Sequence, residues 1–415
     1  MKAAVLARAV FPIHGYGGLE RSVYDLVRAL ADRQVEVTLI TPTPASDASP
    51  TPASIHTGVR LEFIPYRTFP LAGRRGTTVL DRSTAYPLWG LRAGRRALDL
   101  VREQQVDIVH GFGASVLGYA RARRRPAATG ATAPLVLNPQ GLEEFGATDP
   151  SRARLKRAAY LPLRRSVVVC AAAADAVIAT DRSLEPYVLS HLGIPRERMK
   201  TIPNALDLAA LDALTDGATV ARVAAENNIR PGVRIMLSVG RLEENKGFHV
   251  LLRALAALRT HGALEEPWRW VALGEGPYRS ALETLASKLG VSDHVQFVGR
   301  VSDKEMHAWH ELSTCFVHPT LYEGSSLVTL EAMAHYRAVV ASAAGGIPDK
   351  VRPGENGWLV PPGDPSALAG AISGALADPD RLVRFGRAGR AIVEREFSWT
   401  AVGDATVALY RQLLG

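Results

Sequence analysis

The strongest constraint on the fold is an alternation of two apolar patterns along the chain. Short apolar runs of strand length alternate with stretches whose apolar residues recur at helical spacing, as do Leu19, Val23, Leu26, Val27 and Leu30. Strands that alternate with helices are typical of βαβ units, which build a parallel sheet with helices on its faces. The alternation therefore predicts an α/β fold.

This pattern restarts near the middle of the chain, so we predict two α/β domains. A chain of 415 residues is also too long for one compact domain. The predicted strands lie at residues 3–6, 35–40, 108–110, 135–137, 176–179, 234–239, 268–273, 295–298, 314–318, 338–341 and 357–360. The predicted domains are 1–204 and 205–397, followed by a terminal helix in 398–415.

Composition excludes several other classes of protein. Hydrophobic residues make up 47% of the chain and charged residues 22%, which allows two cores and argues against disorder. Two cysteines, Cys170 and Cys315, are too few for a disulfide framework, and neither lies in a zinc-like spacing. No apolar stretch reaches the roughly 18 residues of a membrane span, and the N-terminal residues lack the pattern of a secretory signal. We therefore expect a cytoplasmic protein.

Charge is distributed unevenly between the two halves. Residues 1–204 contain 28 Lys and Arg against 17 Asp and Glu, whereas the remainder contains 21 against 24. A basic first half indicates an anionic partner. A general preference for Arg in the source genome explains the same excess equally well, and both interpretations stay open.

Three loops contain residues suited to binding an anionic, hydroxyl-bearing ligand. Gly17 and Gly18 lie between the first strand and the first helix, where glycines let backbone amides approach a phosphate, although a tight turn would also explain them. Arg241 and Lys246 follow the predicted strand 234–239, and two cations there suit a diphosphate. The alternative interpretation is that Arg241 and Lys246 are ordinary solvated charges on the surface.

The third loop places two carboxylates around a predicted helix start. Glu323 follows a strand, Ser325 or Ser326 can cap the next helix, and Glu331 lies about one turn inside it. Backbone amides there can bind phosphate, and carboxylates accept hydrogen bonds from sugar hydroxyls. Helix capping alone explains the serines but not Glu323.

Taken together, these motifs resemble the retaining GT-B glycosyltransferases of family 4, also called group 1. Glu323 and Glu331, with seven residues between them, match the E-x7-E motif of that family. The resemblance covers nearly the whole chain and is strongest between about residues 175 and 365. Other matching segments are Asp175-Ala176-Val177-Ile178-Ala179, Ile202-Pro203-Asn204-Ala205-Leu206-Asp207, Gly274-Glu275-Gly276-Pro277, Val298-Gly299-Arg300, Gly345-Gly346-Ile347-Pro348-Asp349 and Gly354-Glu355-Asn356-Gly357.

The resemblance implies a fold, a reaction and a role for each residue. It implies two Rossmann-like domains facing across a cleft, of which the first, 1–204, lies on the acceptor side and the second, 205–397, binds a nucleotide-sugar, most simply a UDP- or GDP-sugar. The terminal helix in 398–415 is expected to cross back to the first domain. Catalysis would involve Glu323 at the donor sugar and the cations on the leaving diphosphate, with no metal or other cofactor. The implied donor-binding residues are Gly17, Gly18, Arg241, Lys246, Arg300, Val301, Glu323, Leu327, Val328 and Glu331.

Two segments depart from the family pattern. Many members contain Asp-x-x-His-x-His, whereas this chain has Asp107, His110 and then Phe112. His110 is therefore a candidate catalytic residue or a histidine at a strand end. The Phe-Gly that usually follows the first Glu of the motif is Ser325-Ser326 here, which alters the pocket beside the sugar.

Asp378-Pro379-Asp380 matches a D-x-D pattern that binds metal in a different transferase fold. It lies between two predicted helices, where Asp beside Pro is typical of helix capping. We interpret it as a cap and predict no metal site.

The sequence therefore predicts a retaining glycosyltransferase that moves a sugar from a nucleotide-sugar to a glycan, lipid-linked or small-molecule acceptor. Cell-envelope or polysaccharide biosynthesis is the expected setting. The alternatives are a GT-B sugar-nucleotide epimerase and a non-catalytic nucleotide-sugar binding protein. Nucleic-acid binding is not predicted, because no aromatic platform accompanies the basic residues.

A basic segment in the first half suggests contact with an anionic membrane surface. Eight arginines lie between Arg67 and Arg102, interspersed with Phe69, Leu71, Tyr86, Leu88, Trp89 and Leu91. Basic plus aromatic and apolar side chains are typical of a peripheral membrane patch. The protein would then lie on the inner face of the cell membrane. An ordinary helix packed on the sheet is the alternative, and Arg92, Arg95 and Arg96 are the residues that distinguish the two.

Overall fold

The structure is a computed structural model that describes residues 1–15, 18–44, 55–68, 77–124, 132–139, 142, 145, 158–214, 216–262, 264 and 267–415. The chain divides into two compact units. Unit 1 comprises Met1–Asn204 and Trp399–Gly415, and unit 2 comprises Ala205–Ser398. The last helix of the chain therefore belongs to the same unit as the N-terminus.

Unit 1 contains, within its described residues, a seven-stranded sheet in which every pair of neighbours is parallel. Its order is β3-β2-β1-β4-β5-β6-β7. Its strands are β1 (Lys2–Leu6), β2 (Glu36–Pro42), β3 (Val59–Ile64), β4 (Ile108–Phe112), β5 (Leu135–Asn138), β6 (Ala176–Ala179) and β7 (Met199–Thr201).

Helices cover the sheet of unit 1 with their apolar faces. In the first of them Val23, Leu26, Val27 and Leu30 are buried, as their helical spacing predicts, whereas Leu19 is exposed. The helices of unit 1 are α1 (Gly18–Ala31), α2 (Thr77–Arg102), α3 (Leu117–Arg123), α4 (Leu161–Ala173), α5 (Glu185–Leu192) and, from the end of the chain, α14 (Trp399–Leu414).

Two aromatic residues assigned to the predicted membrane patch lie in the core instead. Trp89 of α2 is fully buried and its indole Nε1 donates to the carbonyl oxygen of Ile64 at 3.1 Å. The Tyr86 hydroxyl donates to the carbonyl of Phe112 at 2.6 Å. Their polar atoms are satisfied by backbone of unit 1, so these two rings do not form a surface patch.

The arginines of α2 also differ in their environments. Arg96 forms a two-pronged ion pair with Glu62, with Nε–Oε2 and Nη2–Oε1 distances of 2.7 and 3.0 Å. Arg95 is exposed and Arg92 is half-buried, while Leu88 is 57% exposed. Phe69, Leu71, Arg74 and Arg75 lie outside the described residues. The described part of the patch that remains exposed comprises Arg67, Leu88, Arg95 and Arg102, with Arg92 half-buried.

Helix α14 is attached to unit 1 by polar contacts at both of its ends. Arg33 donates to Asp404 Oδ1 through Nε and to the carbonyl of Thr400 through Nη2, each at 2.6 Å. Further along the helix, the Tyr410 hydroxyl shares a hydrogen bond of 2.6 Å with Nδ1 of His110 in β4. These contacts explain why the terminal helix groups with the N-terminal sheet.

Unit 2 contains a parallel six-stranded sheet in its described part, in the order β10-β9-β8-β11-β12-β13. From β8 the chain builds β9 and β10 on one side, and then returns to build β11 on the other. Its strands are β8 (Arg234–Val239), β9 (Trp268–Leu273), β10 (Val295–Gly299), β11 (Cys315–His318), β12 (Val339–Ser342) and β13 (Gly357–Val360).

Apolar helix faces pack on the sheet of unit 2 and form two buried clusters. Ser302 and Glu305 cap one helix reciprocally, so the start of that helix follows from sequence. The helices of unit 2 are α6 (Leu208–Leu214), α7 (Gly217–Glu226), α8 (Phe248–Thr260), α9 (Arg279–Lys288), α10 (Asp303–Leu312), α11 (Leu327–Ala334), α12 (Pro365–Leu376) and α13 (Pro379–Glu396).

Among the described helices, none combines the length and the apolar character needed to cross a bilayer. Cys170 and Cys315 are both free thiols, fully buried in separate units. Burial raises the pKa of each thiol, that of Cys315 to about 12. These cysteines therefore act as small apolar core residues.

Candidate functional site

The candidate site of unit 2 lies at the point where its strand order reverses. Strands β8 and β11 are neighbours in the sheet, yet the chain leaves β8 in one direction and returns to β11 from the other. Loops at the carboxyl ends of two such strands diverge and leave a crevice, which is where open α/β sheets bind ligands. Residues 240–247 and 319–326 form those two loops.

Hydrogen bonds hold these two loops together. The Leu321 amide donates to the carbonyl of Asn245 at 2.8 Å, and the Thr320 hydroxyl donates to the same oxygen at 3.1 Å. Gly247 lies between them with a φ of 68°, and a Cβ there would overlap the carbonyl oxygen of Pro319. Glycine is thus required at this close approach.

The loop contact brings Lys246 and Glu323 into an ion pair. Lys246 Nζ donates to Glu323 Oε2 at 2.7 Å, and Nε2 of His318 lies 3.0 Å from the same oxygen. The Lys246 and Glu323 side chains are only 18% and 15% exposed. Oε1 of Glu323 has no hydrogen-bond partner among the described residues. One oxygen therefore anchors the carboxylate and the other can accept a ligand.

Glu323 stays ionised despite its burial. Burial alone would raise the pKa of this carboxyl, but the hydrogen bond from His318 and the charge of Lys246 lower its pKa to about 2. A neighbouring loop fixes its backbone, because a Cβ on Gly345 would overlap the carbonyl oxygen of Glu323. The site thus holds a fixed, negatively charged acceptor of hydrogen bonds.

The second predicted cation of the site is placed differently. The Arg241 side chain is 74% exposed, and its Nη2 lies 2.8 Å from Glu243 Oε1. An exposed pair of this kind contributes little to stability. Arg241 is therefore free to exchange Glu243 for an anionic ligand at small cost.

Helix α11 begins directly after the Glu323 loop. Leu327 and Val328 are its first residues and pack against the core, and Glu331 is half-buried one turn further on. Ser326 occupies the capping position, but its hydroxyl bonds Thr329 Oγ1 at 2.8 Å rather than a backbone amide. The expected side-chain cap is thus replaced by a contact between two hydroxyls.

The remaining predicted donor residues of unit 2 follow β10. Arg300 is exposed, and Val301 is half-buried against the core. The amide of Gly274, which directly follows the neighbouring strand β9, donates to the carbonyl of Gly299 at 2.8 Å. Arg300 and Val301 therefore emerge at the same carboxyl edge as the Lys246 and Glu323 loops.

In unit 1, the predicted residues have different outcomes. Gly17 lies outside the described residues, whereas Gly18 begins α1 and its carbonyl accepts a hydrogen bond from Ser22. His110 is 1% exposed, stacks on Phe112 and bonds Tyr410. Burial lowers the pKa of His110 to about 3. These contacts hold the ring through Nδ1, whereas Nε2 has no hydrogen-bond partner among the described residues, so the role of His110 at a donor sugar stays a prediction.

His318 also lies at this site, although its sequence pattern predicts only a place in a strand. It is the last residue of β11 and is fully buried, with Nε2 directed at Glu323. One signal in the sequence could have identified it. A histidine at the carboxyl end of a buried parallel strand, five residues before the motif glutamate, lies at the edge where such sheets bind ligands.

Asp378 has the role that its position indicates. Its Oδ1 accepts a hydrogen bond of 2.9 Å from the Arg381 amide and so caps α13. Within the described ranges, no group of three or more His, Cys, Asp or Glu side chains converges to hold a metal ion.

Comparisons with protein families agree with this geometry. The model of glycosyl transferases group 1 matches residues 221–392, and that of glycosyltransferase family 4 matches residues 16–210. Together the two models cover most of both units. The chain belongs to the GT-B glycosyltransferases of family 4.

Full-length relatives support the same class. A D-inositol 3-phosphate glycosyltransferase of Xylanimonas cellulosilytica is 29% identical over 95% of this chain and 92% of its own length. Other curated relatives align over little more than half of their own length. The chain is an enzyme of the glycosyltransferase class, as the motifs predict.

Solved structures share the fold. Sucrose-phosphate synthase from Thermosynechococcus elongatus superposes with a TM-score of 0.73 at 24% identity, over 99% of this chain and 98% of that one. The Anabaena protein HepE, solved in complex with UDP, superposes with a TM-score of 0.69 at 19% identity over 99% and 100%. Two Rossmann-like parallel sheets in one chain, the GT-B fold, are thereby confirmed.

Proposed function

We propose that this glycosyltransferase moves a sugar from a nucleotide-sugar to an acceptor with retention of the anomeric configuration. The main observation in support of the proposal is the Lys246–Glu323 ion pair, which lies where the strand order of the unit 2 sheet reverses. A nucleotide-sugar presents sugar hydroxyls beside a diphosphate. Glu323 Oε1 suits the hydroxyls and the Lys246 ammonium suits the diphosphate.

The donor contacts that we propose are those that the family resemblance implies. Arg241 and Lys246 bind the diphosphate, Leu327 and Val328 direct backbone amides at it, and Glu331 accepts the ribose hydroxyls. Arg300 and Val301 lie along the base. A UDP- or GDP-sugar is the expected donor, and the UDP complex of the HepE structure supports this choice.

The reaction proceeds on one face of the sugar. A bond forms between the acceptor oxygen and the anomeric carbon as the bond from that carbon to the diphosphate oxygen breaks, and the acceptor proton passes to the departing oxygen. Arg241 and Lys246 stabilise the charge that develops on the diphosphate. Glu323 holds the sugar in place, so catalysis rests on positioning and charge rather than on a covalent intermediate or a metal.

The acceptor is a glycan, a lipid-linked sugar or a small polar molecule of cell-envelope or polysaccharide biosynthesis, bound by unit 1. A relative that by name acts on inositol 3-phosphate supports a small phosphorylated acceptor. The basic excess of residues 1–204 suits an acceptor that bears phosphate.

A thermal-shift screen of UDP-, GDP-, ADP- and dTDP-sugars tests donor binding. At a concentration of about 100 times Kd, a bound donor stabilises the folded state by about 2.7 kcal/mol. We expect a UDP- or GDP-sugar to raise Tm of the wild type. Lys246→Met should abolish that shift, and Lys288→Met, which removes an exposed lysine of α9, should preserve it. A screen in which no donor raises Tm would contradict the proposal.

A further inference from the structure

His318 is held at the centre of the unit 2 sheet. It ends β11, a strand that pairs with β8 on one side and β12 on the other, and its side chain is 0% exposed. Its ring also lies near Phe316, with 5.9 Å between ring centroids. The position of its Nε2 is therefore fixed by the sheet.

The contacts of His318 define which ring nitrogen bears the proton. A carboxylate oxygen only accepts hydrogen bonds, so Nε2, 3.0 Å from Glu323 Oε2, is the donor. The Ser326 hydroxyl lies 3.4 Å from the same nitrogen. Nδ1 is buried without a hydrogen-bond partner among the described residues. Both polar contacts of the imidazole are thus made through Nε2 with the Glu323 loop.

Glu323 Oε2 therefore has two anchors of different stiffness. Lys246 reaches it along a flexible four-carbon stem, and its ammonium is also needed by the donor diphosphate. His318 reaches it from a strand and has no second task at the site. When Lys246 turns toward the diphosphate, His318 alone keeps the carboxylate oriented.

We propose that His318 is a positioning residue for sugar transfer, which fixes Oε2 of Glu323 so that Oε1 faces the donor sugar. This inference rests on the proposed transfer reaction. His318 touches neither donor nor acceptor, and it acts through the Glu323 carboxylate.

Two substitutions separate the hydrogen bond from the packing. His318→Phe keeps a flat ring but removes the donor, whereas His318→Gln keeps an N–H at a similar reach. We expect His318→Phe to lower kcat by about 10- to 100-fold, the cost of a misplaced reacting group. His318→Gln should stay within about threefold of the wild type. The inhibition constant of the free nucleoside diphosphate should not change, because that ligand lacks the sugar.

The pH dependence of kcat/KM distinguishes loss of the hydrogen bond from a change in packing, because a change in packing alone would not alter it. Loss of a donor raises the pKa of Glu323, so the acid limb of kcat/KM should shift to higher pH in His318→Phe and not in His318→Gln. The matched control is His310→Phe, which replaces another fully buried histidine of unit 2 whose ring nitrogens have no partners among the described residues. It should leave kcat and the pH profile unchanged.

A measurement without turnover separates this inference from the proposed function. In full-length protein with ¹³C-labelled glutamate, the Glu323 carboxyl should not titrate above about pH 4 in the wild type and should do so in His318→Phe. An unchanged titration, or equal losses of kcat in the Phe and Gln variants together with weaker nucleotide binding, would overturn the inference. Failure of the wild type to use any nucleotide-sugar, with the titration shifted as expected, would overturn the proposed function alone.

Discussion

Lys246 Nζ donates to Glu323 Oε2 at 2.7 Å, although the two residues are 77 positions apart in sequence. Each follows a strand at the centre of the unit 2 sheet, and each side chain is more than four-fifths buried. Desolvation offsets much of the attraction in a buried ion pair, so a net gain in stability does not explain why the pair is present. Its position at the carboxyl edge of the sheet, where open α/β sheets bind ligands, instead supports the proposed binding role.

The two cations of the site should respond differently to substitution. Lys246→Ala and Arg241→Ala should each lower transfer by about 100-fold or more, since both charges act on the leaving diphosphate. Arg241→Ala should leave Tm unchanged because that side chain is exposed, whereas Lys246→Ala should lower it because Glu323 loses its ion partner. Steady-state kinetics and calorimetry measure both effects. Normal turnover in a folded variant of either residue would contradict its assignment.

Glu331 should act on the nucleotide rather than on the sugar. Glu331→Gln removes a charged acceptor of hydrogen bonds, so the affinity for free nucleoside diphosphate should fall by about 10-fold or more. Isothermal titration with UDP and GDP measures this loss. An effect confined to the acceptor, with unchanged nucleotide affinity, would show that the ribose role is wrong.

The central strands were predictable because parallel strands covered on both faces are continuous apolar runs. The structure gives β6 as Ala176–Ala179 and β8 as Arg234–Val239, the ranges expected from sequence. Strand β3, Val59–Ile64, was not predicted, because it lies at the sheet edge and contains Arg60 and Glu62. Strand β7 was not predicted either, because a strand of only three residues shows no recognisable pattern.

The site was predictable as a set of residues but not as a set of contacts. Strand-end position alone assigns Arg241, Lys246 and Glu323 to binding loops. Their meeting depends on β11 pairing with β8, and the order of strands in a sheet is not encoded by the local pattern. His318 was missed for the same reason, since its role appears only once the Glu323 loop folds back over the end of β11.

His110 should make the stability of the protein depend on pH. Its pKa is about 3 in the folded protein against 6.5 when unfolded, so the unfolded state alone gains a proton as pH falls below 6.5. The free energy of unfolding should therefore fall by about 2 kcal/mol between pH 7 and pH 5 through this residue. Chemical denaturation at both pH values measures the fall.

An exposed histidine, His261, serves as the control for the buried His110. His110→Asn keeps a hydrogen bond with Tyr410 but cannot titrate, so it should lose this part of the pH dependence. His261→Asn, at an exposed histidine after α8, should retain it. Equal pH dependence in His110→Asn and the wild type would contradict the neutral, buried state.

Contact with a membrane surface stays a prediction, and within α2 it depends on Leu88, Arg92 and Arg95. The full-length protein should float with anionic vesicles at low salt, and Arg92→Glu with Arg95→Glu should weaken binding by about 10-fold or more, since each cation contributes about 1 kcal/mol. As a control, Arg384→Glu with Arg387→Glu makes the same charge change on exposed residues of α13. That variant should bind the vesicles as the wild type does. Equal recovery of full-length protein with neutral and anionic vesicles would contradict the prediction.

The most direct measurement of the proposed reaction is the anomeric configuration of the sugar first released from an α-linked UDP- or GDP-sugar, with water as acceptor and EDTA present. Proton NMR distinguishes the two anomers before they equilibrate. We predict that the α-sugar appears first, that EDTA leaves the rate unchanged because protein cations stabilise the leaving diphosphate, and that Glu323→Gln abolishes release. Release of the β-sugar first, dependence on added Mg²⁺ or Mn²⁺, or equal rates in the wild type and Glu323→Gln would contradict it.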